Sequence, residues 1–146
     1  MSLLSKEEVQ GYLSLLDRLP DSEQKKVFQL LEIDRVQRCK DSFLFYVTQM
    51  WPGFISGKHH AIMANAFERV ASGELKRLII NMPPRHTKSE FASYLLPSWF
   101  LGKFPQKKII QTAHTAELAV GFGRKVRNLV GSDDYQKIFE TKLSSD

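Results

Sequence analysis

Met82-Pro83-Pro84-Arg85-His86-Thr87-Lys88-Ser89-Glu90 is the stretch whose residue types and order offer chemistry. It follows the apolar triplet Leu78-Ile79-Ile80 and precedes a helix-compatible run. Strand, loop, Lys-Ser and helix is the order that phosphate binding requires. Backbone N–H groups at a helix start face an anion, a lysine reaches the terminal phosphates, and the hydroxyl after it ligates magnesium. On this reading the nucleotide contacts run from Pro84 through Arg85, His86, Thr87, Lys88 and Ser89. Lys88 neutralises the β- and γ-phosphates, Ser89 ligates magnesium, and the N–H groups from Arg85 to Ser89 wrap the phosphates. Arg85 is either a surface charge or a γ-phosphate sensor that stabilises charge in a transition state.

The usual GxxxxGK[ST] pattern has glycine where Met82 and Thr87 stand. A β-branched threonine forced to positive φ costs roughly 1–3 kcal/mol. By spacing alone, a plain strand–turn–helix carrying a surface lysine fits equally well. A second group upstream is Trp51 with His59-His60. Adjacent histidines point different ways on a helix and have no third ligand nearby in sequence, which argues against zinc. His60, at a helix start beside Trp51, is placed to contact an adenine or to be satisfied by local hydrogen bonds.

The elements that must position these residues can be read from period and punctuation. Ser5 with Glu8 forms a capping box ahead of Val9, Tyr12, Leu13 and Leu16 at helical spacing. Pro20 stops that helix, and Asp21 with Gln24 starts a second that carries Val27, Phe28, Leu31 and Val36. The two read as a helical hairpin for packing or partner docking, residues 1–40. Asp41 opens a third, aromatic-rich helix to Met50, which Pro52-Gly53 breaks. A fourth carries Ile62, Met63, Ala66, Phe67 and Val70 and ends at Gly73. Lys76–Asn81 and Lys107–Ala113 read as strands, the apolar triplet suiting one buried on both faces. Between them lies a helix from about Lys88 to Leu96, broken or kinked at Pro97. Strand, helix, strand at this spacing predicts a right-handed βαβ unit. A further helix from Ala116 to Val130, a short turn of helix at 133–139 and a polar tail follow. The expected fold is α/β: a partial parallel sheet of the P-loop NTPase type at 41–146, with the N-terminal hairpin as an appendage.

The net charge is +5 and the excess is local. Lys76, Arg77, Arg85, Lys88, Lys103, Lys107, Lys108, Arg124, Lys125 and Arg127 face only Glu90 and Glu117 over the same span. That balance suits a polyanion, nucleotide or nucleic acid, or else a solvated basic face. A single cysteine, Cys39, excludes a disulfide framework within the chain and suits a reducing compartment. Glu7 and Glu8 interrupt any signal peptide, and no apolar run approaches the ~20 residues of a membrane span. The composition predicts a soluble, intracellular protein.

The stretch from Gly73 to Glu90, with Trp51-Pro52 and His60 before it, resembles the ATPase domain of the phage terminase large subunit family. That family's phosphate loop commonly reads Pro-Pro-Arg-x-Gly-Lys-Ser. Thr112–Ala119, Phe122–Arg127 and Tyr135-Gln136-x-x-Phe139 are similar to the segment that follows in the same family. The resemblance spans Phe43 to Phe139, roughly two-thirds of the chain. It accounts for Met82, where the family needs no glycine, whereas Thr87 departs from the commoner one.

The resemblance implies an ATP- and magnesium-dependent motor that drives double-stranded viral DNA into a procapsid. The implied partners are a portal ring, a small DNA-recognising terminase subunit and further copies of the chain in a ring, with no membrane. The implied location is the host cytoplasm, transiently on the procapsid. The paired carboxylates that activate water and the nuclease domain of full-length members have no counterpart in these residues. The chain therefore reads as an N-terminal piece that binds nucleotide weakly and hydrolyses it slowly or not at all. A fragment of a helicase-like or recombination ATPase is one alternative. A non-enzymatic DNA- or portal-binding module, contacting phosphates through Arg124, Lys125 and Arg127, is another.

Overall fold

A computed structural model describes residues 3–143. The order is α1 (Lys6–Leu15), a 3-10 turn (Leu16–Arg18), α2 (Asp21–Asp41), α3 (Phe43–Met50) and α4 (Lys58–Ala71). A π-helical segment (Glu90–Leu95), α5 (Leu96–Lys103), α6 (Ala116–Val130) and α7 (Asp133–Gln136) complete it. The end of the polar tail, 144–146, lies outside the described residues.

The N-terminal helices form where their caps place them. Ser5 Oγ accepts the Glu8 N–H at 3.1 Å and the Glu8 carboxylate accepts the Ser5 N–H at 2.6 Å, a reciprocal capping box. α2 runs on past Val36 to Asp41, and Ser42, not Asp41, caps α3 by accepting the Phe45 N–H at 3.3 Å. A latch folds the chain start back onto α2. The Leu4 N–H donates to Asp34 Oδ1 at 2.8 Å, and the Arg38 guanidinium bonds both the Leu4 carbonyl and Asp34. Burial raises the Asp34 carboxyl's pKa, but the bonds from Arg38 and Leu4 outweigh it and hold the group below the usual range.

The core gathers around the aromatics of α3. The Phe43 ring meets Phe67, Phe91 and Trp99 edge-on, with centroids 5.5–5.6 Å apart. Among the described residues, every buried side-chain polar atom has a hydrogen-bond partner. Trp99 Nε1–H donates to the Cys39 carbonyl at 2.8 Å, which locks α5 to the end of α2. Ser98 Oγ donates to the Leu95 carbonyl and accepts the Tyr46 hydroxyl at 2.8 Å, while Tyr135 donates to the Ser98 carbonyl at 2.9 Å. These bonds tie α3, α5 and α7 to one another through a single serine.

The expected parallel sheet is not there. Among the described residues no strand forms, so the fold is all-helical and the α/β expectation is corrected. The segments at 76–82 and 107–113 are extended, yet no backbone hydrogen bond joins them. Each packs separately beside the helical rod. Leu78 and Ile80 line a cleft with Ala92 and Leu96, while the Gln111 amide reaches the Ser93 carbonyl at 2.8 Å. The physical reason lies in burial. A parallel strand is stable when both faces are covered and both edges paired. Here Ile79 is 85% and Ile110 91% exposed, so one face of each segment has no covering layer. Of the apolar triplet that suggested a doubly buried strand, Leu78 and Ile79 are exposed and Ile80 alone packs, half-buried, against the core.

Pro97 breaks nothing outright. Helix runs without interruption from Lys88 to Lys103, π-wound over Glu90–Leu95 and α-wound after it. Proline has no N–H to give the carbonyl four residues back, and its ring crowds that carbonyl. Widening the preceding turn to π geometry shifts the register, and the Ser93 carbonyl takes its bond from Gln111 instead.

Candidate phosphate-binding loop

The loop at 83–87 connects the extended segment to the helical rod, and its backbone carries the clearest signal in the chain. Arg85 has φ +65° and Thr87 φ +60°, whereas Pro84 and His86 do not have positive φ. The sign of φ thus alternates along 84–87. In the anion-receiving concavity known as a nest, alternation of this kind turns successive N–H groups toward one side. Among the described residues, the N–H groups of Arg85, Thr87, Lys88 and Ser89 meet no protein acceptor, and residues 84–85 form a turn. Two non-glycine residues held left-handed are strained, and such strain concentrates at functional sites.

The side chains stand as follows. Lys88 curls across the bend, its Nζ donating to the Met82 carbonyl at 3.3 Å. The His86 ring donates from Nδ1 to the Pro84 carbonyl at 2.9 Å, which stiffens the turn. Arg85 and Pro84 are exposed at its tip, and Ser89 is exposed on the first turn of the rod. Glu90, the acid beside them, is engaged by Lys125 at 3.1 Å. The free charges of the loop are therefore positive.

His60 lies beneath the loop, 5% exposed. Its Nδ1 accepts the Gly57 N–H at 2.8 Å, where His60 occupies the third helical position of α4 and closes its cap. Because an amide N–H only donates, Nδ1 is the acceptor and the neutral ring carries its proton on Nε2. Nε2 lies 2.6 Å from Thr87 Oγ1, which in turn donates to the His86 carbonyl at 2.6 Å. Burial, then the neighbouring His59, lower the pKa of His60 and favour that neutral form. The ring stacks on Phe91 at 4.9 Å and meets Phe54 at 4.8 Å.

The structure thus brings Pro84, Arg85, His86, Thr87, Lys88, Ser89 and His60 into one neighbourhood, His60 from below and the rest along the loop. Sequence reasoning did not anticipate the contact from His60 to Thr87 or the Phe54 and Phe91 walls around it. The available signal was the spacing of Gly57 to His60, that of a capping box. The phosphates of a nucleotide fit this donor set, which offers N–H groups and cations and no acid of its own. Lys88 would hold the terminal phosphates and the exposed Ser89 hydroxyl the magnesium ion. When bound, magnesium would supply charge neutralisation between phosphate oxygens.

Comparison with family models, with curated proteins and with solved structures gives no significant match. Among the described residues no helix is long and apolar enough to cross a membrane.

Proposed function

We propose that the loop from Pro84 to Ser89 binds the phosphates of ATP with magnesium. In this proposal the chain is the nucleotide-binding portion of a viral DNA-packaging motor. The observation that carries the reading is the alternation of φ along 84–87 beside an inward-curled Lys88. The step from nucleotide site to packaging motor rests on the resemblance of the loop and of the block from Thr112 to Arg127 to the terminase family. In that setting ATP would drive double-stranded DNA into a procapsid, with a portal ring and a small terminase subunit as partners. In this reading Lys88 orients and neutralises the β- and γ-phosphates, and Arg85, exposed at the loop tip, balances charge on the γ-phosphate. Turnover is expected to be slow.

Titration of the protein with MgATP by calorimetry tests the site. Removing a charge-assisted phosphate contact weakens binding at least about tenfold, so Lys88→Ala should do so. Equal affinities for wild type and Lys88→Ala would overturn the assignment. A DNA-binding module is the second reading, supported by Arg124 and Arg127 standing exposed on α6. Salt-dependent DNA affinity that MgATP leaves unchanged would select it.

A further inference from the structure

We propose that His60 is a positioning residue of this loop. Its Nε2–H, bonded to Thr87 Oγ1, holds Thr87 in the left-handed conformation that aims Lys88 and the adjoining N–H groups. The role differs from direct contact with a nucleotide base. It rests on the phosphate-binding reading for its ligand, though its geometry stands apart from that reading.

Threonine does not take φ +60° by its own preference, because Cβ then crowds the backbone and β-branching leaves little room to adjust. Released, Thr87 would relax toward negative φ and swing Lys88 away from the bend. Three contacts prevent this. Thr87 Oγ1 donates to the His86 carbonyl and accepts from His60, so its proton and one of its lone pairs are committed. The Thr87 carbonyl accepts the Phe91 N–H at 3.0 Å, which anchors the far side of the residue to the rod.

The histidine is itself immobile. The Gly57 N–H fixes one ring nitrogen, and Phe54 and Phe91 fix the plane of the ring. A rigid donor fixed to α4 therefore reaches across to the one loop residue that least favours its conformation. Glycine at the same position would adopt φ +60° unaided. The threonine and the histidine are thus a coupled pair, and the dependence on His60 should vanish when Thr87 is replaced by glycine.

The test is a cycle of His60→Ala, Thr87→Gly and the double variant, read in two ways. The first needs no ligand: nitrogen NMR of the wild-type ring, and amide hydrogen exchange at Phe91, whose N–H bonds the Thr87 carbonyl. The proposal expects the Nε2–H tautomer at pH 7.5. It expects exchange to quicken about tenfold on His60→Ala, as loss of one net hydrogen bond implies, and not to change in the Thr87→Gly background. The second readout is MgATP affinity, expected to weaken by a similar factor on His60→Ala and to be insensitive to it once Thr87→Gly is present. Should His60→Ala not fold, His60→Gln, which keeps an N–H donor, takes its place with a smaller expected effect, and the wild-type tautomer still decides. A proton on Nδ1, or equal effects of the His60 change in both backgrounds, would overturn the proposal. If wild type binds no MgATP, the nucleotide reading fails, while exchange and tautomer still judge the positioning role.

Discussion

Gly102 and Gly123 both sit inside helices, and the same substitution to alanine should act on them with opposite sign. Gly102 lies in α5 against the ring of Phe139, where an added Cβ would come within 2.6 Å of both ring Cδ atoms. Carbon atoms at rest are about 3.5–4.0 Å apart, so the ring would have to move by roughly 1 Å. It has little freedom to do so, because it is buried and packed against Tyr46 at 5.9 Å and Tyr135 at 5.2 Å. Overpacking of this kind costs about 1–3 kcal/mol. The gain in helix propensity from Gly to Ala is about 1 kcal/mol, too small to offset an immobile aromatic ring. Gly102→Ala should therefore lose up to about 2 kcal/mol net. Gly123 lies in α6, exposed, with nothing within 4 Å of an added Cβ. Gly123→Ala should gain about 0.5–1 kcal/mol. Urea unfolding at constant slope reads both as shifts of the midpoint. If both variants move the midpoint upward, the packing of Phe139 on α5 is wrong.

The latch at the chain start should be acid-labile. The folded pKa of Asp34 is lowered, so its contribution is complete above the ordinary carboxylate value of 3.8 and is lost as pH falls through the lower folded value. Arg38→Ala, which leaves only the Leu4 N–H on Asp34, should weaken that acid dependence and cost about 1–3 kcal/mol at neutral pH, seen by unfolding across a pH series. An unaltered acid limb in the variant would refute the pairing. Cys39 is buried and desolvation pushes its thiol up to about 11, so iodoacetamide at pH 8 should leave the native protein unlabelled and label it fully in urea. Rapid labelling of the folded chain would show that the α2 end is not packed as described.

The helices were legible because their signals are local. Ser5 with Glu8, the 3.6-residue periods of α4 and α6, and the stop at Gly73, which takes φ +83°, all act within a few residues. The loop was legible as order and residue type, with Lys88-Ser89 at the start of a helix. The sheet was misread because Leu78-Ile79-Ile80 states only that the segment is apolar and extended, not how many of its faces are covered. Covering is a property of the neighbours, and Ile79 has none among the described residues.

Residue types alone determined that Ser5 caps α1 and Gly73 follows the end of α4, that the basic surplus lies between Lys76 and Arg127, and that a lysine and a hydroxyl follow the Pro-Pro-Arg turn. Tertiary structure decided that the extended segments remain apart, that Pro97 sits inside a continuous helix, and that Thr87 stands left-handed over His60. The first set follows from interactions within a turn or two of chain. The second depends on which distant groups meet, as His60 meets Thr87 across 27 residues at 2.6 Å.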